Sequence, residues 1–452
     1  MINRRNFLAG LAAGSAVSAV PALAHGSNSA FGINAESHGL RPGSPDDQGA
    51  VLQAILDKAE KSDMPVFLPP GRYRVSDVVL PENTRLGGIA GATRLEYTGG
   101  NHFLYAEKAN HVSLKGLVLD GALMPYKDYA GGAIHVREAA HLDISDCHIT
   151  NAALSGIQVD HSEGRISGNR IDSAIGTAGI FAVENRGLSV TDNLVEECAN
   201  AGILVHRYTR GEDNTIVTNN RVRRISAVNG GTGQYGNGIN IANADGVMIA
   251  NNHISDCAYS TIRAFSSSNI QISNNTCLRA GETSIYSEFA FQGAMISGNV
   301  VDGGVRGISF ANLNEGGRLS VCANNLIRNI HATPPYEDNQ HVFGNGISAE
   351  ADVAITGNVI ENAANYGILL GWGEYLRNVT ANANVIRKTR IGFYVSVVEG
   401  TGQVAITNNI LSDITRGGIV GYRWKDPVTD DLARTGAGKY SNLEIANNRL
   451  NY

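Results

Sequence analysis

Short runs of alternating apolar and polar residues fill most of this chain, and Asn and Gly interrupt them at regular intervals. Residues 353–371, VAITGNVIENAANYGILLG, show the unit: an alternating run, an Asn, a second run, small residues, then Gly-Ile and a third run. A period of two marks each run as a strand with one buried face. The unit recurs about eleven times between Leu142 and the C-terminus, so the chain reads as a repeat fold and not as one large core. Gly156, Gly179 and Gly202 stand at equal intervals at the start of the third run; Ala133 precedes them, and Gly238, Thr261, Ser284, Gly307, Gly346, Gly367, Gly392 and Gly418 continue the series. An interval of about 23 residues cannot hold a strand and a crossover helix, but it suits one coil of three short strands joined by tight turns. Connections between parallel strands are right-handed in nearly all proteins. The pattern therefore predicts an all-β fold, a right-handed single-stranded parallel β-helix.

The repeat Asn stands at Asn169, Asn193, Asn220, Asn252, Asn275, Asn299, Asn325, Asn358, Asn384, Asn409 and Asn448. One amide per coil at one place predicts an internal ladder, set in a turn where Asn also tolerates left-handed backbone. Insertions break the period between the Asn and the next Gly-Ile at 220–238 and 325–346. Others lie beyond the Gly-Ile strand, around 207–213, 312–317, 371–377 and 424–440. Both kinds flank the Gly-Ile strand, so they should wall a groove floored by it, and long loops on a rigid scaffold are where function concentrates.

Ahead of the repeats, Val51, Leu52, Ile55, Leu56 and Ala59 carry the spacing of an amphipathic helix, with Ser44 or Asp46 as N-cap. Met64 to Tyr73 then reads as a strand and a Pro-Gly turn. Such a helix covers the open end of a strand stack. The combination DDxxAxxxAI at 46–55 followed by VFLPPGxY at 66–73 resembles the N-terminal cap of the pectate lyase superfamily, the right-handed parallel β-helix enzymes. The resemblance covers essentially the whole mature chain and implies a fold, not a reaction.

The segment at 1–24 reads as an export signal. Arg4-Arg5 precede Asn6-Phe7-Leu8, a weakly apolar run and Ala22-Leu23-Ala24, which resembles a twin-arginine signal with an A-x-A cleavage site. The expected organisation is a signal at 1–24, an N-terminal segment with the capping helix at 25–64 and the β-helix at 65–452. Paired with the β-helix repeat, the signal makes the chain resemble a family of twin-arginine-translocated β-helix repeat proteins of uncharacterised activity. The expected location is the periplasm or the exterior. No window of the mature form has the ~18 apolar residues of a membrane span.

Composition narrows the partner. A net charge of -6 and a pI near 6.1 argue against nucleic acid, which would need a basic face. Cys147, Cys198, Cys257, Cys277 and Cys322 all fall at interior repeat positions. Only Cys198 and Cys257 share a column, two coils and roughly 9 to 10 Å apart, beyond disulfide reach. All five therefore read as small buried hydrophobes. No C-x-x-C, H-x-x-H or Gly-rich phosphate loop points to a resident cofactor. The sequence leaves the oligomeric state open between monomer and trimer.

Candidate chemistry lies on the positions of the Gly-Ile strand that alternate with its inward Ile and Val. They present His135, Arg137, Asp160 with His161, Glu184, His206 with Arg207 and Tyr208, Asn240, Arg263, Tyr286 and Glu288; Ser309, Ser348, Glu350 and the aromatics Trp372, Tyr394 and Tyr422 follow. Such a row suits an extended, anionic, hydroxyl-rich chain, because carboxylates accept sugar hydroxyls, arginines pair with uronate carboxylates and aromatic faces stack on sugar rings. For β-elimination or epimerisation, His206 is the candidate base, Tyr208 the acid, and Arg207 or Arg263 the group that neutralises the uronate. Asp160 and Glu184 are alternatively candidate Ca²⁺ ligands, or, on adjacent coils at ~5 Å, the carboxyl pair of a retaining hydrolase. His135, Arg137, Asp160, His161, Glu184, Asn240, Tyr286 and Glu288 are candidate substrate contacts. The Asn-Thr-Asp, Asp-Asp and Gly-His-Gly set of polygalacturonases is missing from the strip, as is the Asp-Pro-His signature of alginate epimerases, so no family role carries over. The expected function is a carbohydrate-active protein on an acidic polysaccharide, lyase or epimerase before hydrolase; a non-catalytic glycan-binding or envelope scaffold protein is the alternative.

Overall fold

The computed structural model describes residues 32–231, 233–338 and 341–451; the export segment read at 1–24 lies outside them. Three ladders of parallel strands wind around one core. One runs through sixteen strands from Ile33–Asn34 to Leu443–Ala446; a second begins at Gly71–Val75 and ends at Arg449–Asn451. The Gly-Ile strands form the third, and it joins the second because Val385–Ser396 and Ile410–Arg423 pass through the corner as single strands. The fold is a right-handed parallel β-helix, as the repeat predicts.

Register explains the repeat residues. Ile134, Ile157, Ile180, Ile203, Ile239, Ile262, Ile285, Ile308, Ile347 and Ile368 pair coil on coil, and every one is inaccessible to solvent. The Gly before the Ile is a close-approach residue: a Cβ on Gly202 or Gly307 would lie 2.3 Å from the carbonyl oxygen of Gly238 or Gly346.

The Asn column is the predicted ladder. In each step the Oδ1 of one Asn accepts the backbone N–H and the Nδ2 of the Asn one coil earlier, as Asn220 does from Asn193 at 3.0 Å each. Cys147 takes the first rung, donating its N–H to Asn169 Oδ1 at 2.9 Å. The left-handed residue of the turn is the one before the ladder Asn, not the ladder Asn itself. That separates two jobs, backbone conformation at Asn219, Asn251 and Asn274 and buried amide bonding at Asn220, Asn252 and Asn275, and it accounts for the Asn-Asn doublets.

The capping helix spans Gly49–Ser62 and buries Leu52, Ile55, Leu56 and Ala59. Its N-cap is Gln48, not Ser44 or Asp46: Asp47 Oδ1 accepts the Gly49 N–H at 2.8 Å, while the Gln48 amide is held by the backbone of Arg41. The solenoid also starts earlier than 65, since Ile33–Asn34 pairs with Val66–Phe67. At the far end, the insertion at 424–440 folds back. Asp426–Asp431 pairs antiparallel with the last Gly-Ile strand, and a short helix, Leu432–Thr435, follows. Asp431 accepts the N–H groups of Gly418, Ile419 and Ala433, so this insertion closes the edge of the Gly-Ile ladder.

All five cysteines are free and buried, and burial pushes their thiols up, Cys147 to about 11 and Cys198 to about 12. Thermal unfolding with and without a thiol reductant should coincide. A melting point lowered by reductant would reveal a disulfide and overturn that reading. Among the described residues no helix is long and apolar enough to cross a membrane.

Candidate active site

Two columns of side chains project outward from the Gly-Ile ladder. One aligns His135, Gln158, Phe181, Leu204, Asn240, Arg263, Tyr286, Ser309, Ser348 and Leu369; the other carries Arg137, Asp160, Val183, His206, Ala242, Phe265 and Glu288. The facing read from the sequence is right for most positions. Glu184 departs from it. Val183 holds its place in the column, and Glu184 sits one residue on, in a left-handed turn.

Much of the charged row is engaged with itself. Buried His135 accepts the Gly131 N–H at Nδ1 and faces Asp160 Oδ2 with Nε2 at 2.9 Å, so Nε2 carries the proton. Asp160 also accepts from Gln158 at 3.0 Å and lies 3.6 Å from Arg137. Glu184 pairs with Arg207 at 2.6 Å and accepts the Tyr208 N–H at 2.7 Å, which pins the loop that follows His206. Arg207 is anchored further by the Asn185 carbonyl at 3.1 Å. His206 packs edge-on against Phe181, its Nε2 has no protein partner, and burial lowers its pKa to about 4. Arg263 is paired with Glu288 and overlain by Gly233. Among the described residues buried Asn240 has Oδ1 unpartnered, His161 is exposed on a turn beside the strand, and Tyr208 is 81% exposed.

The Ca²⁺ and carboxyl-pair expectations meet the same obstacle. Asp160 and Glu184 spend their oxygens on different partners, and among the described residues no group of three or more His, Cys, Asp or Glu gathers as a metal site. The donor set does not fit a cation. The far aromatics also differ from expectation. Tyr394 is fully buried, stacked on Tyr422 at 4.3 Å and on Trp372 at 6.5 Å, so it forms a stack of its own and offers no platform to a sugar.

The pronounced hollow on this face lies beyond Tyr286. Its cavity of about 190 Å³ is floored by Tyr286, Ser309 and Ser348 and walled by Arg306, Asn312, Asn345, Glu350, Trp372 and Tyr375. The insertions at 312–317, 325–346 and 371–377 supply Asn312, Asn345, Trp372 and Tyr375 of these walls. Arg306 is half-buried, reaches the Val342 carbonyl at 3.4 Å and lies 4.6 Å over the Phe343 ring; among the described residues no carboxylate pairs with it. Glu350 Oε2 accepts the Leu313 N–H at 2.6 Å, yet burial raises its carboxyl to about 7, against a weaker opposing pull from Arg306. Burial likewise pushes the Tyr286 hydroxyl far up, so it stays protonated. Among the described residues, Ser348 Oγ and Asn345 Oδ1 are buried without partners. Unsatisfied polar atoms, an unpaired cation and a shifted carboxyl converging in one cavity are the marks of a ligand site.

The model of the right-handed β-helix region matches residues 108–222 and 208–326. The chain has the right-handed β-helix fold. No curated protein matches it by sequence. Among solved structures, the pre-mature gene product 12 of bacteriophage phi29 superposes with a TM-score of 0.55 at 15% identity, over 87% of this chain and 55% of that one. The β-helix protein thus spans little more than half of the phage chain. The A-module of the Azotobacter vinelandii mannuronan C-5 epimerase AlgE6 gives 0.48 at 15% identity over 92% and 98%. The catalytic unit of an α-1,3-glucanase from Streptomyces thermodiastaticus gives 0.48 at 15% identity over 93% and 69%. At 15% identity the likeness to the phage protein shows the fold alone.

Arg306 and Glu350 are the functional candidates that the strip of charged residues underweights. Glu350 stands among the outward positions of the sequence, but its desolvation depends on the loop at 312–317 closing over it. Arg306 precedes its Gly-Ile pair, where the repeat places a turn. The length of the flanking insertions is the signal that could have found both.

Proposed function

We propose that this β-helix protein is a carbohydrate-active enzyme that binds an acidic sugar residue in the Tyr286–Glu350 cavity and removes the proton beside its carboxylate. The observation that carries the reading is a guanidinium without a carboxylate partner, Arg306, opening on the same cavity as a carboxyl tuned to about 7, Glu350. Arg306 neutralises the uronate carboxylate, which acidifies the adjacent carbon. Glu350, deprotonated, takes the proton from that carbon. In β-elimination the bond to the leaving oxygen then breaks, with the Tyr286 hydroxyl supplying its proton; in epimerisation the Tyr286 hydroxyl instead returns a proton to the carbon from the opposite face. Trp372 and Tyr375 support the ring by stacking. Those aromatic walls equally serve a binding protein without chemistry, which is the second reading. We also propose export by the twin-arginine route, with action outside the cytoplasm.

Incubating the purified protein with pectin, alginate and other uronans, with unsaturated product followed by absorbance and C-5 inversion by NMR, tests the activity. Neither product from any uronan across pH would end the catalytic reading. Arg306→Ala should weaken binding of acidic oligosaccharides by about tenfold to a hundredfold and leave neutral ones unchanged, since a charge-assisted contact contributes roughly 1.5–3 kcal/mol. Equal losses for both ligands, read by calorimetry, would show that Arg306 only holds the wall.

A further inference from the structure

The cavity that the proposed function assigns to an acidic sugar is closed at both ends along the solenoid axis. Upstream, the column beyond Tyr286 is Arg263, locked to Glu288, and Gly233 lies so close above it that a Cβ there would fall 2.2 Å from the guanidinium. The loop carrying Gly233 is fastened along one flank. Tyr259 donates to the Gly231 carbonyl at 2.5 Å and meets the Tyr336 ring at 6.3 Å, and Tyr336 donates to Glu282 at 2.7 Å. Downstream, Trp372 is backed by buried Tyr394 and crossed by Trp424 at 5.8 Å, whose ring fills the space where Gly373 would carry a Cβ. Between these barriers about 190 Å³ remains, below the ~300–1,000 Å³ of sites that hold larger ligands and suited to one ring.

A polymer lying along the strands needs a floor open on both sides of the reacting ring, as the exposed strip of charged residues first suggests. Here the floor is interrupted one coil to each side. From this we infer that the site takes a single acidic ring presented as the terminal residue of a chain, entering end-on from solvent, and that the protein acts on chain ends and not at internal linkages. The inference rests on the proposed function for its ligand chemistry and on the two barriers for its geometry.

Oligogalacturonides and oligoguluronates of graded length, titrated into the protein, separate the cases, with the free monosaccharides as competitors. End-on capture gives one protein per chain at every length and an affinity per chain that does not rise with length. Competition by the free monosaccharide would assign recognition to the ring itself; its absence would assign it to the ring with its linkage, and both keep the terminal mode. A stoichiometry that grows with chain length would overturn the inference and leave acidic-glycan binding standing. No binding to any acidic chain would overturn the underlying reading and the inference together. Where the reaction is elimination, polymer viscosity should fall slowly while monomeric product accumulates from the first turnovers; an early drop in viscosity with mixed oligomers overturns the terminal mode. Trp372→Ala removes the downstream barrier and should raise the stoichiometry on long chains above one per chain, whereas the wild-type ratio stands as a test even if that variant folds poorly.

Discussion

Glu350→Gln is expected to lower turnover by about 10² to 10⁴, the contribution of a positioned general base, while binding of the acidic ligand changes little. The substitution keeps the shape and the Leu313 N–H contact but removes the one carboxyl that, among the described residues, lines the cavity with a proton affinity matched to neutral pH. Wild-type turnover should rise as pH passes through about 7 and then level off, because only the deprotonated carboxylate accepts the proton. The same burial has a stability signature. A carboxyl raised from 4.5 to about 7 by folding supports the native state fully below 4.5, and that support is lost as pH rises through about 7. Glu350→Gln should therefore gain stability relative to wild type between about pH 5 and pH 8, by up to roughly 3 kcal/mol. Melting both proteins across that range checks it. A difference independent of pH would mean that the carboxyl is not desolvated, and a Gln variant with full turnover would remove Glu350 from the mechanism.

Asn299→Ala is expected to be the most damaging single change to the scaffold, at roughly 3–6 kcal/mol, since each buried group left unpaired costs about 1–3 kcal/mol. Asn299 Oδ1 accepts the Asn275 N–H at 2.9 Å and Asn275 Nδ2 at 3.0 Å; its own Nδ2 donates to Asn325 Oδ1 and to the Ile272 carbonyl, each at 3.0 Å. Alanine strands donors one coil back and leaves the Ile272 carbonyl without its amide, all of them buried. Because each coil contacts only its neighbours, the loss should appear as local opening around residue 299 before global unfolding. Limited proteolysis and hydrogen exchange would register it, with exposed His161→Ala as a control expected within about 0.5 kcal/mol. Exchange rates near 299 that match the wild type would show that the ladder is dispensable there.

The repeat alone is enough to specify the solenoid, because parallel in-register stacking maps identical positions onto one another. Ile157 and Asn193 each meet their own kind one coil away, so the repeat is a direct image of the contacts. It also located the walls of the site, since a departure from a constant period is an insertion wherever it falls. Which outward side chains stay free is set by how the coils and their loops meet in space. A column of charges reads as a continuous strip, but ion pairs form between coils: Asp160 is taken by His135, Glu184 by Arg207 and Glu288 by Arg263. Each partner lies one coil away along the chain, and whether two such groups meet depends on rotamers and on the loop conformations above them. The same holds for Arg306 and Glu350, one left without a carboxylate partner and the other desolvated by loops whose length was visible and whose path was not.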